Sequence, residues 1–285
     1  MGRAPGTQFS ATSTGHAMSS ASWIDAHYRA CQTEYEAMIR SVGLQRGWHV
    51  LDAGCGTGQF VDVIADIIGE RGMIGAVDIA PENVAMLHAR SASHQFVCRV
   101  DARVADIKEL PFPDRTFDAV WNANVAQYLD ESELAATLGE FRRVLKRGGV
   151  LALKDGDLTA LQIFPIPPTV LWRLLEAWAH RDQQVRGLLG SLALVDRVRR
   201  ADFAQVRRTV TFIERSAPLR PAEAQFVTGL VEFFAALAAE LHLPRTDVEY
   251  WRSIINPLSP KYILRETDLY LREAAVLVIG QKSPG

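Results

Sequence analysis

The chain has 285 residues, 48% hydrophobic and 22% charged, which is globular composition with enough apolar material for one large core and a covering lid. Its formal net charge is −2, so no global basic field gathers nucleic acid or anionic lipid. Three cysteines, Cys31, Cys55 and Cys98, sit at no metal or redox spacing, which argues against a disulfide framework and for a reducing, cytoplasmic setting.

Residues 1–20 are rich in Gly, Ser, Thr and Ala and lack a basic start followed by an apolar block. They are expected to form a disordered tail, not a secretory leader. Trp23 to Val42 has helical spacing, with Gly43 placed to stop it. A short apolar strand, Trp48 to Asp52, runs into the glycine run Gly54-Cys-Gly56-Thr-Gly58, and Phe60 to Ile68 reads as a helix. Gly72 to Val77 is a second strand ending at Asp78, followed by a helix from Pro81, a residue suited to a first turn. A third strand is predicted over Gln95 to Val100 and a fourth over Phe117 to Trp121. A helix follows from about Glu131 to Leu145, then a turn at Lys146 to Gly149 and a fifth strand from Val150 to Lys154.

After Lys154 the alternation breaks. Asp155 to Asp202 reads as largely helical, with prolines 165, 167 and 168 at its entry. Val206 to Ile213 and Leu269 to Ile279 have strand character, with a helix over Pro221 to Leu243 between them. The basic residues Arg197, Arg199, Arg200, Arg207 and Arg208 read as a solvated helix face and a strand edge. No uninterrupted apolar run reaches the ~20 residues of a membrane helix, so integral membrane association is not expected. The pattern predicts an α/β fold, Rossmann-like and doubly wound, with a mostly parallel seven-stranded sheet and helical lid insertions. Residues 21–285 are expected to form a single domain. Its sheet core lies at about 45–155, 205–215 and 268–282, and its lid at 21–44, 156–204 and 216–267.

The glycine run carries the chemistry. Glycines after a buried strand let the backbone turn sharply and let a ligand lie against the main chain. The carboxyl edge of such a sheet is where ligands bind, and Asp78 at the second strand's end can accept both hydroxyl hydrogens of a ribose. Dinucleotide domains use G-x-G-x-x-G/A to aim a helix N-terminus at a pyrophosphate. Here the glycines are spaced G-x-G-x-G and Val61 stands where the third small residue would be, which disfavours a nicotinamide oxidoreductase.

Asp52-Ala-Gly-Cys-Gly-Thr-Gly58 resembles motif I of class I S-adenosylmethionine (SAM)-dependent methyltransferases. Val77-Asp-Ile79 resembles their ribose-binding strand end. Ala105 to Asp114 with Phe117-Asp-Ala-Val resembles their adenine loop and fourth strand, and Leu145 to Leu151 resembles the turn into their fifth. The matches fall in order over roughly residues 45 to 155, closest to the branch of ubiquinone/menaquinone-biosynthesis and natural-product enzymes. The resemblance implies SAM as cofactor and S-adenosylhomocysteine as product. It also implies that the backbone at Gly54 and Gly56 faces the methionine part, Asp78 holds the ribose and Ile79 packs on the adenine. Asp106 would accept from the adenine amino group and the Ile107 backbone would read the ring edge. Asn122 would lie near the methionine end, and Asp52 would support the loop or reach the SAM amino group. Tyr28 could touch the SAM carboxylate or the acceptor.

Methyl transfer from a sulfonium needs alignment and exclusion of water, and a base only where the acceptor must lose a proton. His27 is the base candidate, set against an ordinary packing histidine, and no residue set calls for a metal. Acceptor contacts are expected from Asn124, Gln127 and Tyr128 after the fourth strand, from Asp155 and Asp157 after the fifth, and from the apolar lid, including Phe164 and Trp251. That lid suggests a small, largely apolar organic acceptor; ordinary packing or a homodimer contact is the alternative for each of its residues. A nucleic-acid methyltransferase is disfavoured by the charge and by Asn122-Ala-Asn-Val, which lacks the Asn/Asp-Pro-Pro-Tyr/Phe pattern. A non-methylating, cyclase-type enzyme on the same fold stays open.

Overall fold

The computed structural model describes residues 21–283; the expected tail at 1–20 lies outside the described residues. In chain order the elements begin with α1 (Ala21–Arg40), β1 (His49–Ala53), α2 (Val61–Ile68), β2 (Met73–Asp78), α3 (Pro81–Ser93), β3 (Arg99–Val104), β4 (Phe117–Ala123), α4 (Glu131–Val144) and β5 (Leu145–Phe164). There follow α5 (Pro168–Ala179), α6 (Gln183–Leu189), α7 (Leu194–Arg200), β6 (Phe203–Ser216), α8 (Pro221–Glu240), α9 (Arg245–Ile255) and β7 (Tyr270–Lys282). One seven-stranded sheet has the order β3-β2-β1-β4-β5-β7-β6, with β7 antiparallel to both neighbours. The order reverses beside β1, which puts the switch point of this α/β sheet at the glycine run.

Successive residues of the central strands enter opposite cores, as strand periodicity requires. Val50, Ile74, Ala119 and Trp121 pack with Val61, Ile64 and Ile68 of α2 on one face. Leu51, Val77, Val120 and Leu151 pack with Leu134, Leu138 and Phe141 of α4 on the other. The second face also takes Leu194 and Val198 of α7, whereas the first continues into α1, α5 and α8. Helix α4 starts on a capping box, Asp130 accepting from the Glu133 amide at 2.8 Å while Glu133 accepts from the Asp130 amide.

Three expectations are corrected. The third strand lies four residues later than predicted, over Arg99–Val104. Gln95 to Cys98 are apolar enough to mimic a strand, yet they connect α3 to it. Lys146 to Gly149 do not form a separate turn but a break in the ladder of β5, between the pairs Phe117–Leu145 and Ala119–Val150. Most consequentially, β5 does not give way to helix at Asp155 but runs on to Phe164 against β7. The polar residues Asp155, Asp157 and Thr159 hide that strand from a periodicity reading. Helix α8 also passes the length and hydropathy test for a membrane span, although Glu223 and Glu232 interrupt its apolar run; 56% of that window is buried. Such burial is what a core helix shows.

Candidate functional site

A cavity of about 490 Å³ opens at the carboxyl ends of β1, β2, β3 and β4 and reaches under α1 and α8. Its first end is made of loops. Gly54 (φ +78°) and Gly56 (φ +54°) turn back over the strand end. The amides of Gly54 and Cys55 donate to the Val77 carbonyl at 2.7 and 2.9 Å, so the loop is strapped across β2. A Cβ on Gly54 would overlap Val125 Cγ2, so only glycine allows this approach.

Asp78 closes the loop from below. Its Oδ2 accepts from the Gly56 amide at 2.8 Å, and its Oδ1 accepts from the Ala80 amide at 2.9 Å and from Asn83 at 3.3 Å. Burial raises its pKa, and these three hydrogen bonds pull it back. Two carboxylate oxygens offer about four acceptor positions, so capacity is left for a hydroxyl. Next to it Ile79 lines the cavity while 56% exposed, an apolar shelf that a planar ring can cover. Across from it lie Asp106, whose Oδ1 accepts from the Lys108 amide at 2.9 Å, and Ile107. Glycine cradle, carboxylate, apolar shelf and second carboxylate could hold, in turn, an amino-acid group, a ribose, a planar base and its amino group.

Asp52 and Asn122 do not line the cavity. Asn122 is buried and its Nδ2 donates to the Ala53 carbonyl at 2.7 Å, tying β4 to β1 behind the loop. Asp52 is buried beneath the loop with Oδ2 unpartnered; burial, and then the charge of Asp78, push its carboxyl up to about 8. Both residues therefore support the loop from behind.

The second end of the cavity is made of side chains. Asn124 (φ +59°) lines it and accepts from Lys154 Nζ at 2.7 Å. Gln127 and Tyr128 line it from the 3₁₀ turn after β4, and Gln184 donates to the Tyr128 hydroxyl at 3.2 Å. Burial raises the Tyr128 phenol well above its usual range. His27 and Tyr28 contribute from α1. The Tyr28 ring packs edge-on against Phe60 at 5.3 Å, and its pKa is raised by burial and by Glu36. Leu158 and Leu161 enter where the β5–β7 ladder is interrupted between Asp157 and Gln162. Asp157 lines the cavity, whereas Asp155 lines a separate hollow beside α6.

Two further expected acceptor contacts are elsewhere. Phe164 ends β5 at 54% exposure, away from the cavity. Trp251 is fully buried on α9, edge-on to Phe234 at 5.6 Å, within the lid's own core beside Trp178 and Phe233. Large aromatic side chains in a lid serve its packing first; Phe226 of α8, by contrast, lines the cavity. Sequence reasoning missed Glu273, a partly buried acid in the apolar strand β7 that lines this end. A lone carboxylate inside such a run was the available signal.

A doubly wound sheet with its cavity at the switch point is the arrangement in which open α/β sheets bind their ligands. Residues 50–149 match the family model described as a methyltransferase domain. Malonyl-[acyl-carrier protein] O-methyltransferase of Serratia marcescens is 36% identical over 117 residues, 41% of this chain and 41% of that protein. A ubiquinone/menaquinone biosynthesis C-methyltransferase of Teredinibacter turnerae is 26% identical over 181 residues, 59% of this chain and 72% of that protein. The match thus spans less than half of the first relative's length. Among solved structures, the [4+2]-cyclase SpnF shares the fold at a TM-score of 0.53 and 19% identity, with 90% of this chain and 82% of that chain covered. Residues 50–149 are thus similar to a methyltransferase domain, and the whole described chain shares its fold with SAM-related enzymes of known structure.

Proposed function

We propose that the chain transfers the methyl group of SAM to a small, largely apolar organic molecule by in-line displacement. The observation that carries this reading is the two-part cavity, a loop-built polar end continuous with an end walled by Leu158, Leu161, Phe226 and Leu230. Gly54 and Gly56 face the methionine part, Asp78 the ribose and Ile79 the adenine face, while Asp106 and the Ile107 backbone read the adenine edge. Tyr28 covers the cofactor from α1. Asn124, Gln127 and Tyr128 contact the acceptor at the junction of the two ends. Bound SAM would supply an activated methyl on a sulfonium and leave as neutral S-adenosylhomocysteine, the carbon–sulfur electron pair staying with sulfur. The chain's part is alignment and exclusion of water, which the lid of α1 and α8 provides.

The test is transfer of labelled methyl from SAM to a panel of hydrophobic metabolites, with S-adenosylhomocysteine release measured in the same reactions. Label transfer matched by release is the expected result. Turnover without release would show a non-methylating reaction and overturn the proposal.

A further inference from the structure

We infer that His27 and Glu273 form an imidazole–carboxylate pair that removes the proton of an acidic acceptor hydroxyl, a phenol or enol, as that oxygen is methylated. This rests on the methyl transfer proposed above and names its acceptor class.

His27 lines the acceptor end of the cavity and stacks on Phe226 of the lid, centroids 4.8 Å apart and planes at 12°. Its Nε2 lies 3.1 Å from Glu273 Oε1 and 2.9 Å from Tyr35 Oη. A carboxylate only accepts, so Nε2 is the nitrogen that bears hydrogen, and the Tyr35 oxygen accepts from the same N–H. In the neutral ring Nδ1 then carries a lone pair, which has no hydrogen bond to a described residue. A ring oriented in this tautomer by a partly buried acid, with its other nitrogen open, is arranged to accept a proton and to be stabilised once charged.

Glu273 is suited to that role. Burial opposes its ionisation, but His27, the hydrogen bonds from His27 and Cys31, and Lys154 together hold its carboxyl below the usual range. Cys31 donates to it at 3.0 Å. Mere neutralisation of buried Lys154 would be the simplest reason for an acid here. Yet Lys154 Nζ is hydrogen-bonded to Asn124 and sits 3.5 Å over the Tyr35 ring, and the contacts of Glu273 go to His27 and Cys31. The ligating atoms of His27, Cys31 and Glu273 lie within 4.8 Å of one another, close enough to share a metal ion. Against that stand the cations Lys154 and Arg215 beside Cys31, and a thiol whose pKa is raised by burial and by Glu273, opposing the thiolate a metal would need. The charged and titratable groups around the pair are thus Cys31 and Tyr35 of α1, Lys154 of β5 and Arg215 of β6.

Acceptor chemistry follows from proton affinity. An imidazole can take the proton of a phenol or enol in concert with bond formation. An aliphatic alcohol is far too weak an acid, and a neutral amine needs no proton removed before it attacks. In the step, the acceptor O–H bond breaks, its proton goes to His27 Nδ1, and the oxygen's electron pair bonds the methyl carbon. The imidazolium then returns the proton to water. The apolar walls of Phe226, Leu158 and Leu161 suit the ring or chain that carries such a hydroxyl.

The probe is 4-nitrophenol, titrated in the presence of S-adenosylhomocysteine and followed by its phenolate absorbance, with SAM affinity measured separately by calorimetry. Wild-type protein is expected to bind the probe as phenolate at a pH where the free probe is neutral. His27→Gln should abolish that band and Glu273→Gln should lower it about tenfold, one pK unit. Both variants should keep SAM affinity within about twofold, the cofactor loops being untouched. His27→Gln, at a partly exposed position of α1, decides the matter even if Glu273→Gln fails to fold. Failure of the probe to bind, binding as the neutral phenol, or a phenolate band that persists in His27→Gln would overturn the inference. Loss of SAM binding in the wild type would instead sink the methyl-transfer reading.

Discussion

One end of the cavity is built from main chain and carboxylates on loops leaving β1, β2 and β3, whereas the other is built from side chains of α1, β5, β7, α8 and the turn after β4. In the first the loops are closed by hydrogen bonds from backbone amides to carboxylates, such as Gly56 to Asp78 and Lys108 to Asp106. The second is held by packing between elements far apart in the chain, such as His27 on Phe226. A loop that cradles a fixed ligand must keep its residue types. A wall of side chains can change its shape while keeping its apolar character. The two ends should therefore fail differently when perturbed.

The largest effect is expected from the lid core. Trp251→Ala should cost about 3–5 kcal/mol in urea unfolding, the cost of a buried cavity, while calorimetric SAM affinity in the folded protein stays unchanged. Loss of acceptor turnover with no loss of stability would return Trp251 to the cavity. Next comes Gly54→Ala, where a positive φ and the clash with Val125 should together cost about 2–4 kcal/mol and impair SAM binding as well. A variant that binds SAM normally would break the distinction between the two ends.

Asp78→Ala should weaken SAM binding by about 1–3 kcal/mol, roughly 5- to 150-fold, through loss of charged hydrogen bonds. Unchanged affinity would argue against the ribose assignment. The smallest effect, reckoned per pH unit, is a slope. The folded-state pKa of Asp52, about 8, lies above its ordinary value of 3.8, so between those values the folded chain holds a proton that the unfolded chain has released. The stability contributed by this group is present below about pH 4 and is lost as pH rises towards 8, at a slope of at most about 1.4 kcal/mol per pH unit. Asp52→Asn should flatten that part of a stability–pH profile measured by thermal melts; an unchanged slope would mean the carboxyl is ionised throughout.

Legibility in the sequence followed the same division. The doubly wound fold was readable from the strand–helix alternation, and the positions of the glycine loop and of Asp78 at a strand end from their immediate neighbours in the chain. Asn122 misled because a strand-end asparagine can face either ligand or backbone, and here it tied β4 to β1. The extension of β5 to Phe164 was hidden by Asp155 and Asp157, polar residues that a strand tolerates where it borders a cavity. Trp251 and Phe164 were judged by bulk, and bulk cannot tell lid core from cavity wall or open surface.

By itself the sequence determined the cofactor loops, since glycine torsions, an acidic strand end and a proline-started helix are local properties of the chain. Tertiary structure alone decided the pair His27 and Glu273, which lie 246 residues apart. Only the antiparallel insertion of β7 beside β5, with α1 folded across the cavity, brings that imidazole and that carboxylate to 3.1 Å, and no spacing rule reaches over such a distance.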